Sequence, residues 1–203
     1  MRWQFGHSAC MPAAIDKTIL IDAALSVWRE EGYRTATTLK VAQRADVGEV
    51  TLFRRFGSKS ALFQAALESE ASRFQATGVT YSGDLTADLS AMVDAYQSLL
   101  ALNGAIVLDV LVESPKNAEL AAIAKTPMHA IQAASRVLMR YQDRGALRPG
   151  DPLVLVSALL GPLVMRYAVA RTQPGVEILA PTPQVVGAFL NGWYTGPFPR
   201  PEV

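Results

Sequence analysis

Residues 37–63 read TTLKVAQRADVGEVTLFRRFGSKSALF. Two short helix-like segments flank the tight turn Asp46-Val47-Gly48. Thr37 is a natural N-cap for the first, because its hydroxyl accepts from a free backbone N–H of the first turn. Val41, Ala42 and Ala45 give that segment a small apolar inner face, which lets a second helix pack close. Val47 plugs the crevice between them. The second segment, Glu49 to Phe56, buries Leu52 and Phe56 and turns Glu49, Val50 and Arg54 outward. A short helix, a three-residue turn and another short helix is the layout of a helix-turn-helix. Such a unit presents the N-terminal residues of its second helix to base edges in a major groove. Arg54, Arg55 and Lys59 then lie where they neutralise flanking phosphates.

The pattern continues in both directions. Asp16 to Glu31 carries Ile19, Leu20, Ala23, Ala24, Val27 and Trp28 as a wide apolar stripe at helical spacing, and Gly32 ends it. Ser58 caps a longer helix over 59–76. Residues 77–83 read as loop. Helices are expected over 84–102, 105–112, 116–125, 127–144, 152–171 and 183–194, with Pro152 in a first turn and Pro127 starting or kinking a helix. Residues 173–183 form a proline-containing loop. No strand-like alternation competes with these patterns, and no internal repeat is visible. The fold class is all-α, with about nine to ten helices. The expected division is a flexible extension over 1–14, a helix-turn-helix domain over 15–60, a larger helical domain over 61–195 and a flexible tail over 196–203.

Composition agrees with a packed protein. Half of the 203 residues are hydrophobic and 18% are charged, with a net charge of +1. The distribution is uneven: nine Lys/Arg against six Asp/Glu over residues 1–60, then ten against twelve over the remainder. A mildly basic head on a mildly acidic body suits a polyanionic partner for the head. Cys10 is the lone cysteine, so no internal disulfide forms, which suits a reducing cytoplasm. The opening residues lack the apolar run of a secretory signal, and Met11 is an alternative start. Pro152 to Ala170 is the most apolar stretch. It is interrupted by Gly161-Pro162 and carries Arg166, which fits a buried or interface helix better than a membrane span.

The stretch 37–63 resembles the N-terminal signature of TetR/AcrR-type transcriptional regulators. Thr37, Val41, Ala42, Ala45, Val47, Thr51, Leu52, Phe56, Lys59 and Leu62 match in register. The motif covers about residues 15–65. Further on, RGALRPGDP and LLGPLVMRY are similar to the region leading into the family's penultimate helix. The resemblance implies a DNA-binding head joined through a fourth helix to a helical domain that dimerises and binds a small molecule. It implies a bacterial, cytoplasmic homodimer on a palindromic operator of double-stranded DNA, nucleoid-associated when bound. Repression would be relieved by a small-molecule effector, with no cofactor, no metal and no membrane. A typical coupling of about 1–3 kcal/mol between effector and DNA suffices for release.

Carried over residue by residue, the DNA-facing set is Thr37, Gly48, Glu49, Val50, Thr51, Phe53, Arg54, Arg55 and Lys59. Four positions depart from the family pattern. Asp46 stands at the turn glycine, and Asp enters the left-handed region more readily than most side chains. Phe53 stands for a tyrosine and so lacks a hydroxyl for phosphate. Arg55 stands for a histidine, and Leu39 for a polar residue. Glu49 repels phosphate but accepts from a cytosine amino group. In the larger domain Met92, Tyr96, Met128, Met139, Met165 and Tyr167 are either plain core or pocket lining. Leu159, Arg166, Phe189 and Trp193 are the candidate dimer surface; Arg166 either lies at that surface, pairs with an acid such as Glu113, or faces an anionic ligand in the pocket, and Trp193 is interface or core. His7 and His129 are too isolated to hold a metal.

Two other function classes compete for the same residues. An enzyme needs a nucleophile–base–acid cluster, a glycine-rich phosphate loop or metal-ligand spacing, and none is present. A basic membrane-surface protein needs exposed apolar residues beside its cations, whereas Leu52 and Phe56 are expected inside the head.

Overall fold

The computed structural model describes residues 16–76, 80–125 and 128–193. Its described residues form nine α-helices in chain order: α1 Lys17–Glu31, α2 Thr38–Arg44, α3 Glu49–Phe56, α4 Lys59–Ala76, α5 Leu85–Glu113, α6 Ala118–Ile123, α7 Met128–Asp143, α8 Pro152–Ala170 and α9 Thr182–Trp193. No strand occurs among them.

Local chemistry sets the helix ends of the head. The Asp16 side chain accepts from Thr18 N at 2.9 Å to start α1, and the Thr37 hydroxyl accepts from Lys40 N at 3.2 Å to start α2. Asp46 holds the α2–α3 turn with a φ of 53°, the left-handed conformation expected of it. Val47 is partly buried against the same apolar cluster as Val41, Ala42 and Leu52. Ser58 Oγ accepts from Ala61 N at 3.1 Å at the start of α4. The first cluster gathers Leu20, Ala24, Leu25, Trp28, Tyr33, Leu52, Leu62 and Phe63, and extends to Ile106, Leu120 and Ile123 of α5 and α6. The head therefore rests directly on the end of α5 and on α6.

The second cluster lies among α5, α7, α8 and α9 and includes Leu89, Met92, Leu100, Leu138, Tyr141, Leu155, Leu163, Phe189 and Leu190. By length and composition, the stretches Leu85–Lys116 and Pro152–Ala170 are apolar enough to cross a membrane. In the fold they pack on each other and on α7 and α9. The two helices expected over 84–102 and 105–112 are one, α5, bent at Asn103, whose φ of −124° and ψ of 16° leave the helical region. Gly104, next to the bend, lets α8 come close: a Cβ there would sit 2.3 Å from the Tyr167 ring. The helix expected over 116–125 is shorter. Residues Ser114–Lys116 form a 3-10 turn, and Asn117 caps α6 by accepting from Glu119 N and Leu120 N. Pro127 lies outside the described residues.

Buried polar pairs fix the larger bundle. Asp88 accepts from Ser82 N at 2.8 Å and Ser82 Oγ at 2.6 Å, and from the Tyr141 hydroxyl of α7. Burial works to raise the Asp88 pKa, and these hydrogen bonds outweigh it and hold the carboxyl below its ordinary range. Gln97 of α5 accepts from Ala180 N at 2.6 Å and donates to Thr182 Oγ1 at 3.2 Å, tying down the start of α9.

Candidate nucleic-acid interface and effector cavity

Helix α3 is amphipathic at close quarters. Leu52 is 1% exposed and Phe56 packs partly against the same cluster, so one face is fully committed to the head. The opposite face carries Val50, 80% exposed, and Phe53, 47% exposed, with Arg54 and Arg55 exposed beside them. Thr37 and Gly48 are exposed at the helix starts, and Thr51 is half-buried. Leu39 of α2 is also half-exposed. Among the described residues neither Arg54 nor Arg55 forms a salt bridge. The α2 cations differ: Lys40 pairs with Glu31 at 2.5 Å and Arg44 with Glu30 at 2.6 Å. Arg54 and Arg55 are thus the cations of this face held least by the protein itself.

Two residues expected at the interface have internal partners. Glu49 Oε1 accepts from Thr38 Oγ1 at 2.6 Å, linking the first turn of α3 to the first turn of α2. Lys59 is half-buried, and its ammonium donates to Tyr33 O at 2.7 Å while lying 4.4 Å from the Tyr33 ring centroid. Burial pushes the Lys59 ammonium below its ordinary pKa, with Glu119 opposing. Lys59 is therefore turned into the head rather than out beside α3. The carbonyl of Tyr33 needed a donor, and the chain four residues before Phe63 supplied it. Lys17, outside the expected set, has its ammonium 5.9 Å from the Phe56 ring centroid and adds a cation next to α3. No local motif marks it.

A cavity of about 290 Å³ opens between α4, α5, α7 and α8. Its walls include Leu67, Met92, Tyr96, Leu99, Ile106, Val107, Val110, Ile131, Ala134 and Leu160, with Glu70, Asn103 and Ser114 as polar members. Burial pushes the Tyr96 phenol up to about 12. Of the expected pocket residues, Met92 and Tyr96 line it. Met139 and Met165 do not: they are 39% and 66% exposed, on outward faces of α7 and α8. Tyr167 instead packs on Gly104. The Met128 side chain lies outside the described residues. Glu70 and Asn103 went unread in the sequence, although an Asn-Gly pair inside an apolar helical run was a usable signal.

A shallower groove runs between α8 and α9, lined by Arg166, Phe189, Trp193, Pro162, Ala188 and Gly192 among others. Among the described residues Arg166 Nε is buried there without a hydrogen-bond partner, and no salt bridge joins Arg166 to Glu113. Leu159 is 1% exposed and belongs to the protomer's own core, because its face of α8 points to α5 and α7 and not outward. Phe189 is 4% exposed and largely core as well.

Comparisons with known proteins agree with this layout. Residues 20–66 match the family described as bacterial regulatory proteins, tetR family. Residues 79–180 match the tetracyclin repressor-like C-terminal domain. A 70-residue segment is 37% identical to an uncharacterized HTH-type transcriptional regulator, YvkB, of Bacillus subtilis strain 168, and the match spans 34% of this chain and 37% of that one. In three dimensions the chain is similar to the fatty acid degradation regulator FadR from Bacillus halodurans, with a TM-score of 0.75 at 21% identity, over 87% of this chain and 99% of the other. It is also similar to FadR from Bacillus subtilis in complex with stearoyl-CoA, with a TM-score of 0.74 at 17% identity, over 87% and 99% of the two chains. At those identities the likeness shows the fold alone. With the helix-turn-helix and the C-terminal bundle both matched in place, the chain belongs to the TetR family and is a DNA-binding transcriptional regulator, not an enzyme.

Proposed function

We propose that the protein is a homodimeric repressor that holds a palindromic operator with two copies of α3 and lets go when a small apolar molecule fills the cavity. The observation that carries this reading is one helix, α4. Its first turn stands directly after α3, and Leu67, Glu70 and Ala71 farther along it line the cavity. A ligand that favours a different tilt of α4 changes the spacing of two heads in a dimer. A preference of about 1–3 kcal/mol is enough.

Val50 and Phe53 supply apolar contacts to thymine methyls, and Arg54 and Arg55 neutralise phosphates. Thr37, Gly48 and Thr51 sit close enough to add backbone or hydroxyl contacts to phosphate. The second copy docks on the α8–α9 face. That face holds the groove with Arg166 and Trp193, and α8 exposes Leu153, Val154 and Met165 at 54%, 51% and 66%. The protein then works in the cytoplasm and on the nucleoid when bound. The stearoyl-CoA complex of the Bacillus subtilis FadR supports an effector with a long apolar part.

Selection of bound fragments from a random duplex library tests the reading, with a salt titration on the winner and light scattering on the free protein. An enriched inverted repeat, a steep salt dependence and a dimer mass are expected. Monomeric protein or no enrichment would overturn it.

A further inference from the structure

We infer that the cavity selects an apolar molecule carrying a hydrogen-bond donor, an alcohol or amine, and that Asn103 is the residue that receives the donor. The inference rests on the cavity being the effector site proposed above.

Asn103 lines the cavity and is 3% exposed. Its Nδ2 donates to Glu70 Oε2 at 2.5 Å, and Glu70 itself is 7% exposed. An ionised carboxylate accepts only, so Glu70 fixes which way the amide faces: the amino group must meet it. The remaining oxygen, Oδ1, is buried with no hydrogen-bond partner among the described residues. A buried acceptor left in that state is destabilising, and a ligand donor that reaches it removes the penalty. The backbone leaves the helical region at this same residue, within a long apolar helix.

Charge decides the second half. Among the described residues the cavity lining contains no Lys, Arg or His, and it does contain Glu70. The nearby cation, Arg73, is already paired with Glu70 itself, Nη1 2.6 Å from Oε1, and with Asp22, Nη2 3.2 Å from Oδ1, so it is not free to receive an anion. A carboxylate entering this space loses its water and finds no free cation in the lining to replace it. Tyr96 and Ser114 hydroxyls both donate and accept, so they do not reverse the preference. A hydroxyl or an amine N–H can donate to Asn103 Oδ1, which an ether or a carboxylate cannot.

Calorimetric titration of the full chain with decanol, decylamine, methyl decyl ether and decanoate tests this. Decanol and decylamine should bind roughly tenfold or more tightly than the ether, the size of one lost buried hydrogen bond, with decanoate weakest. Asn103→Leu should bring decanol and the ether to parity. Glu70→Gln, which frees the amide to turn over and removes the charge, should narrow the gap between decanol and decanoate. A thermal melt of each variant separates misfolding from lost selectivity. Equal binding of decanol and ether by the natural chain would overturn the inference, as would tightest binding of decanoate or no binding of any of the four. Duplex affinity measured on the same samples separates the two readings. Selective decanol binding that leaves duplex affinity unchanged upholds the chemical class and overturns effector release. Ether and decanol equally effective in releasing DNA does the reverse.

Discussion

Trp28 and Asp109, 81 positions apart, are joined by a hydrogen bond from the indole Nε1 to Oδ2 at 2.9 Å. The same oxygen accepts from Tyr33 N at 2.8 Å. One carboxylate of α5 thus holds the end of α1 and the turn that follows it. Gly32 sits in that turn with a φ of 79°, and a Cβ there would meet Asp109 Oδ2 at 3.3 Å. Replacing Asp109 by Ala leaves two partly buried donors without an acceptor. We expect a loss of about 2–3 kcal/mol in denaturant titration, with the head becoming the first region to exchange its amide hydrogens.

Arg54, Arg55 and Lys59 should separate cleanly. Arg54→Ala and Arg55→Ala each remove one phosphate contact, so duplex affinity falls and the slope of log affinity against log salt decreases by about 0.9. Lys59→Ala instead deprives Tyr33 O of its donor and should lower stability by about 1 kcal/mol. A Lys59→Ala protein of unchanged stability and reduced salt slope would return Lys59 to the phosphate-contacting set.

Phe53→Ala should leave the salt slope intact while altering base preference, since an aromatic face carries no charge to neutralise phosphate. Sequencing of duplexes selected by the variant reads this directly. An unchanged operator would place Phe53 outside the groove.

Glu30 gives a pH signature. Hydrogen bonds from Arg44, then from Ser26, lower its pKa from 4.5 to about 2. A carboxyl held below its unfolded value contributes stability that is present above about pH 4.5 and is lost as pH falls toward 2. The pair is solvent-exposed and screened, so the effect is small. The melting temperatures of the natural protein and Glu30→Gln should differ slightly at neutral pH and converge below that window.

Gly104→Ala tests the crossing of α5 and α8. The added Cβ would lie 2.3 Å from Tyr167 ring atoms, so either the ring or the helices must move. Overpacking of this kind typically costs about 1–3 kcal/mol. Tyr167→Leu combined with Gly104→Ala should recover part of it, because the clash is with ring atoms that leucine lacks.

The head was legible in the sequence because its determinants are local. Thr37, Asp46, Val47 and Gly48 act on the backbone within a few positions, and the helical spacing of Leu20, Ala24 and Trp28 states which face is buried. The helix bounds 84–102 and 105–112 put a gap between two helices where the structure has one helix bent at Asn103. Periodicity also named Met139 and Met165 for the pocket and Leu159 for the surface. It reports that a helix has an apolar face, and it does not report which neighbour that face meets. Lys59 shows the limit most plainly: its place at a helix start was correct, and its direction was set by a carbonyl 26 positions earlier. The pairing of Glu70 with Asn103 spans 33 positions. By itself the sequence determined the all-helical class, the head's helices with the Thr37 and Ser58 caps, and the helix-turn-helix, all products of short-range backbone chemistry. The cavity, its unpartnered acceptor and the partners of its charges were decided only by tertiary packing, because they depend on which distant side chains the crossing of α4, α5 and α8 brings within reach.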